Sequence, residues 1–161
     1  MRVTDDWEAR VAAVWTATTV MSDDEVLAAI DALVAEKPVT DAAATFEAAS
    51  ARDFLGLEPE AAPLYRRALE LGLDDRRRPQ AIIQLASTLR NLGQLDESVS
   101  LLEAQLAAHP DDRWAGPAKA FLALALVSRG DERRASSVAL DALGAYLPAY
   151  GSSVRAYAAE L

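Results

Sequence analysis

A period of 37 residues constrains this chain more than any other feature. Gly56 in "FLGLEPE", Gly93 in "NLGQLDE" and Gly130 in "SRGDERR" stand 37 residues apart. Their neighbours keep the same phase. An alanine precedes each glycine by seven residues (Ala49, Ala86, Ala123), and a small residue follows each by five (Ala61, Ser98, Ala135). Eight residues after come Leu64, Leu101 and Val138; thirteen after come Leu69, Leu106 and Leu143. A chain written this way is expected to use one supersecondary unit three times, because such a unit buries its apolar face only by stacking on its neighbours.

Each unit reads as two helices joined at the glycine. In the middle one Ile82, Leu85, Ala86, Leu89 and Leu92 follow helical spacing before Gly93, and Val99, Leu102 and Leu106 follow it afterwards. A connection this short makes an antiparallel helical hairpin. The small residues at the crossing let two helix axes approach toward the low end of the usual ~8–10 Å range. With 35 alanines against three phenylalanines, local propensity also leans to helix rather than sheet.

The flanks continue the pattern. Trp7, Val11, Val14 and Trp15 share one face of a first helix, and Ser22 with Glu25 forms a capping box for a second running to about Lys37 ahead of Pro38. Pro59 and Pro117 fall in first helical turns, while "HPDD" (109–112) and "LPAY" (147–150) end helices. Val154, Tyr157, Ala158 and Leu161 suggest a closing helix. The expected architecture is all-α: about nine helices in a right-handed stack of antiparallel hairpins and a single domain over 1–161. An N-terminal hairpin (1–38) precedes three repeats (41–147), and a C-terminal capping helix (148–161) follows.

These residues resemble the tetratricopeptide repeat family. A small residue in the first helix, a glycine turn, an alanine followed by an aromatic and a closing proline are met by Ala49, Gly56, Ala61, Tyr65 and Ala68 in one unit. Ala86, Gly93 and Pro110 meet them in the next. The family's early tryptophan is missing, Leu102 and Ala139 stand where an aromatic is usual, and the period exceeds the common ~34 residues. "QLASTLRNLG" also looks like a stretch of small stand-alone bacterial members. The resemblance implies a binding scaffold whose first helices line a concave face, and it names no ligand.

In the middle unit Gln80, Gln84, Ser87 and Asn91 form one row along a helix, flanked by Ile83 and Arg90. Side-chain amides both donate and accept, so the row suits the backbone of a peptide without demanding charge. A shift of 37 places Ala43, Glu47, Ser50 and Phe54, with Phe46 beside them, in the first unit, and Pro117, Phe121, Leu124 and Ser128 in the third. The run "AFLALALV" (120–127) leaves its helix apolar nearly all round, so the C-terminal helix, a second copy or an apolar ligand must cover it.

The remaining candidates point to structure. The arginines 66–67, 76–78 and 133–134 adjoin Asp74, Asp75, Glu58 and Glu70, which reads as a salt-bridged face, and a net charge of −9 repels nucleic acid. His109 has no second histidine or cysteine to share a metal, and Asp5/Asp6, Asp23/Asp24 and Asp111/Asp112 sit at helix starts. No cysteine, nucleophile with a base, or phosphate loop emerges, so neither an enzyme nor a cofactor is expected. The acidic N-terminal stretch and the scarcity of lysine, only Lys37 and Lys119, point to a cytoplasmic bacterial protein. The expected function is a non-catalytic scaffold for a peptide or protein, with no membrane or nucleic-acid partner. The alternative is a self-associating or small-molecule-sensing domain, a homodimer built on Phe121, Leu124 and Trp114.

Overall fold

The computed structural model describes residues 6–161, so Asp5 lies outside the described residues. Among these there are nine helices and no strand: α1 Asp6–Thr16, α2 Asp23–Ala35, α3 Ala42–Phe54, α4 Glu58–Leu71, α5 Arg77–Asn91, α6 Leu95–Ala108, α7 Ala115–Arg129, α8 Glu132–Gly144 and α9 Gly151–Ala158. None is long and apolar enough to cross a membrane. The chain divides into two compact units, Met1–Arg78 and Pro79–Leu161.

The period is written into the backbone. After α3, α5 and α7 the chain turns at Gly56, Gly93 and Gly130, with φ of 71°, 76° and 87°. At each turn the same two hydrogen bonds close the helix. Leu57 N–H donates to the Arg52 carbonyl, Gln94 to Leu89 and Asp131 to Leu126; Gly56 donates to Asp53, Gly93 to Arg90 and Gly130 to Val127. A left-handed residue ending a helix with this bond pair favours glycine, which lacks the Cβ that makes positive φ costly.

The small residues also lie where their spacing puts them. Ala49, Ala86 and Ala123, and across from them Ala61, Ser98 and Ala135, are all buried. In the middle hairpin the Ser98 hydroxyl donates to the Ala86 carbonyl at 2.6 Å, so the two positions are in direct contact. Leu64, Leu101 and Val138 are half-buried, and Leu143 is exposed at the end of the series.

In the first unit α1 joins the core through Trp7 and Val11, packed with Ile30, Leu33, Ala44 and Ala51, and the Trp7 indole donates to the Leu33 carbonyl at 2.8 Å. The Ser22–Glu25 capping box forms in full and α2 ends at Ala35. Pro63 lies inside α4. In the second unit α6, α7 and α8 pack in series around Val99, Leu102, Leu122 and Leu126, and α9 packs on α8.

The acidic pairs take local roles. Asp23 and Asp24 lie in the first turn of α2, and Asp112 accepts the Trp114 backbone N–H at 2.7 Å. His109 closes α6 through its backbone N–H to Gln105.

Candidate partner-binding surfaces

Two rows of side chains follow from the helix faces, one in each unit. In the first unit, Glu47 of α3 is 5% exposed, and burial, the largest influence, pushes its carboxyl above the usual carboxylate range. Two donors oppose that rise. The Trp15 indole donates to Oε2 at 2.8 Å and the Arg77 Nε to Oε1 at 3.3 Å.

Arg77 is itself 4% exposed. Its Nη2 reaches Glu8 at 2.6 Å and its Nη1 reaches Asp74 at 3.2 Å. Burial opposes the Arg77 charge, but bonds to Glu8, the attraction of Glu47 and Glu8 and the bond to Asp74 outweigh it and raise its pKa. Asp74 also accepts the backbone N–H groups of Arg76 and Arg77, starting α5; these bonds with the Arg77 side chain overcome its partial burial and hold its carboxyl below the ordinary value.

Phe54, 48% exposed, meets the edge of Trp15 at a centroid distance of 6.0 Å. The row expected from Glu47 and Phe54 is thus already occupied by a side chain of α1. Phe46 and Ser50 belong to the hairpin interior instead: Phe46 packs on Tyr65 at 6.0 Å, and the Tyr65 hydroxyl donates to Ser50 at 3.5 Å and Asp53 at 3.2 Å.

In the second unit Gln80, Gln84 and Ser87 are half-buried on α5 and Asn91 is exposed. Gln80, Gln84 and Asn91 already take part in interactions within the chain, and Arg90 donates to the Asn91 side-chain oxygen at 3.0 Å. Ile83 turns inward and joins the core with Val99 and Leu122, and Thr88 is buried with its hydroxyl on the Gln84 carbonyl. One repeat further along, Phe121 and Trp114 are half-buried against the same core, whereas Leu124 is 47% exposed.

A third surface uses the apolar run 120–127 together with α8. Between α7 and α8 runs an apolar groove of about 610 Å³. Its floor is Ala120, Ala123, Ala135 and Ala139, and its rims are Leu124, Val127, Leu143 and Tyr146. The C-terminal helix, one of the three covers expected for α7, contributes no residue to the lining of this groove. It lies on α8. The Arg155 Nε donates to Asp141 at 2.9 Å and the Ser137 hydroxyl to the Ala158 carbonyl at 2.7 Å. A Cβ built on Gly151 would lie 2.3 Å from the Gly144 carbonyl oxygen, so the two helices touch backbone to backbone. Lys119, the first influence, and Arg155 hold the Asp141 carboxyl below its ordinary value.

The arginine groups are largely paired, Arg67 with Glu70 at 3.4 Å, Arg76 with Glu8 at 3.5 Å and Arg134 with Glu103. Among the described residues no three histidine, aspartate or glutamate side chains come together as a metal site.

The sequence matches the family described as "Tetratrico peptide repeat" over residues 42–161. No curated protein matches it. Among solved structures it is similar to "MamA 41-end from Desulfovibrio magneticus RS-1", with a TM-score of 0.64 and 20% identity over 97% of this chain and 90% of that one. It is equally similar to the "MamA RS-1 ArsTM double mutant", with a TM-score of 0.65, 20% identity and the same coverage.

Proposed function

Because the chain belongs to the tetratricopeptide repeat family, we propose that it is a non-catalytic scaffold whose α5 row holds a peptide or protein partner. The family and the fold support an interaction role in general, and the side chains of the second unit support this particular surface.

One observation carries the assignment. At the corresponding positions of the first unit, Glu47 and Phe54 hold the Trp15 indole, by a hydrogen bond at one end and an aromatic edge at the other. A row that accepts a side chain from another helix there recurs 37 residues on as Gln84, Ser87 and Asn91, half-buried to exposed. Amides and a hydroxyl satisfy peptide N–H and C=O groups without a fixed charge, so backbone recognition with modest sequence preference follows. Gln80 and Arg90 extend the row at its edges, and Phe121 and Leu124 supply apolar contact at the equivalent positions of α7. The chemistry fits a protein partner rather than a nucleic acid, since most of the described arginines already answer carboxylates.

The test is partner capture with Gln84→Ala combined with Asn91→Ala, folding being checked by circular dichroism. Loss of the partner with the helical signal intact is the expected result. Unchanged capture by a folded double variant would remove α5 from the binding surface.

A further inference from the structure

We propose that the groove between α7 and α8 is a docking site for an amphipathic, basic α-helix of a partner protein, distinct from the α5 row and meeting it only at Leu124. The repeat itself identifies the occupant. Shifted back by 37 residues, the groove residues Ala120, Ala123, Ala135, Ser136 and Ala139 become Ile83, Ala86, Ser98, Val99 and Leu102. Those five residues are buried, and four of them share a core cluster with Ala118, Leu122, Ala125 and Leu126 of α7. One repeat earlier, the same walls therefore receive a helix.

That helix is the template for the missing one. It presents apolar residues at i, i+4, i+7 and i+8, and its only charged residues are Lys119 and Arg129. At the end of the series the rims stay open, with Leu124, Val127 and Leu143 47%, 51% and 50% exposed. The floor is also deeper, because Ala139 stands where Leu102 fills the earlier site. The occupant accordingly needs a bulkier aliphatic residue at the contact with Ala139.

The chain's own α9 does not fit this description. It begins within one residue of the register where the next receiving helix would start, but it carries Arg155 where α7 buries Ala118. Its contacts with Ser137, Asp141 and Gly144 hold it on a different face of α8 from the groove. Charge complementarity favours a cationic helix from another protein over a second copy. The Glu132 carboxylate at the mouth has no ion pair among the described residues, and the chain as a whole carries −9. A helix with aliphatic anchors and a cation opposite Glu132 satisfies both the walls and the rim.

The probe is a fluorescein-labelled peptide with the sequence of residues 115–129 and two added N-terminal lysines, titrated with the full chain by fluorescence anisotropy. Saturable binding is expected, weakened at least about tenfold by Ala139→Arg, which fills the floor from an exposed position. Glu132→Lys should weaken it and flatten its salt dependence. A peptide with proline at its centre should not bind, and Gln84→Ala with Asn91→Ala should leave binding intact, so the two surfaces fail separately. Absence of saturable binding overturns the proposal, as does binding indifferent to Ala139→Arg, which would mean exchange with the chain's own α7. A dimer lost on Leu124→Glu would give the groove to a second copy. Uptake of a small apolar dye that the peptide cannot displace would make it a ligand pocket.

Discussion

Removing the Arg77 guanidinium should destabilise the protein far more than removing an ordinary surface arginine. In Arg77→Met the aliphatic stem remains, but of its two side-chain donors, Trp15 and Arg77, Glu47 keeps the Trp15 indole alone. The Glu47 and Arg77 side chains are 6% and 4% exposed, the regime in which breaking an ion pair from one side costs about 3–5 kcal/mol. The pairs to Glu8 and Asp74, whose side chains are 48% and 53% exposed, add no more than about 1 kcal/mol each. The pH dependence has a definite sign. Glu47 is already raised above 4.5 in the folded protein, mainly by burial, so its ionisation opposes folding as pH rises through that range and is relieved as pH falls. Without Arg77 that opposition grows, and urea unfolding should show a larger loss at about pH 7.5 than at about pH 5. Adding Glu47→Gln should recover at least about 1 kcal/mol, since it removes the stranded charge. A loss under about 1 kcal/mol at both pH values, with the two substitutions additive, would refute the reasoning.

Other substitutions test the repeat. Gly93→Ala should cost about 1 kcal/mol in urea unfolding because φ is 76° there. Ser98→Ala should cost about 1 kcal/mol through the bond to the Ala86 carbonyl, and Ser98→Leu about 1–3 kcal/mol by wedging the hairpin apart, read from the same unfolding curves. The Asp141 carboxyl is depressed by Lys119 first and Arg155 second, so its contribution is present above the ordinary value of 3.8 and lost as pH falls through its folded pKa. Protection factors for hydrogen exchange in α9, taken against the intrinsic rate at each pH, should fall over that acid window, and Asp141→Asn should abolish the effect.

The hairpins were legible because their signals are local and repeated. A glycine forced to positive φ, a serine capping box and two small residues at a helix crossing each act within about fifteen residues of chain, and three copies in phase separate them from chance. The surfaces were less legible, because neighbouring helix residues differ by roughly 100° in direction and a row read from spacing does not say which side the core lies on. Ile83 and Phe46, placed beside the row, turn into the core for this reason. The Arg77 network joins residues up to 69 positions apart, and no periodicity announces that. The arginine cluster at 76–78 reads as a salt-bridged face, which holds for exposed Arg76, whereas Arg77 makes its ion pairs while buried. The position of α9 depends on the close Gly144–Gly151 approach and on Ser137 and Asp141, all outside the repeated registers, so the apolar face of α7 was legible in the spacing but its cover was not.

The central claim is that the α5 row meets a partner. Site-specific photocrosslinking tests it most directly, with a photoreactive residue placed at Ser87 in the row or at exposed Ser100 on α6. One discrete crosslinked product is expected from Ser87, absent from Ser100 and competed away by unlabelled partner. Equal crosslinking at both positions, or a product from Ser100 alone, would contradict it.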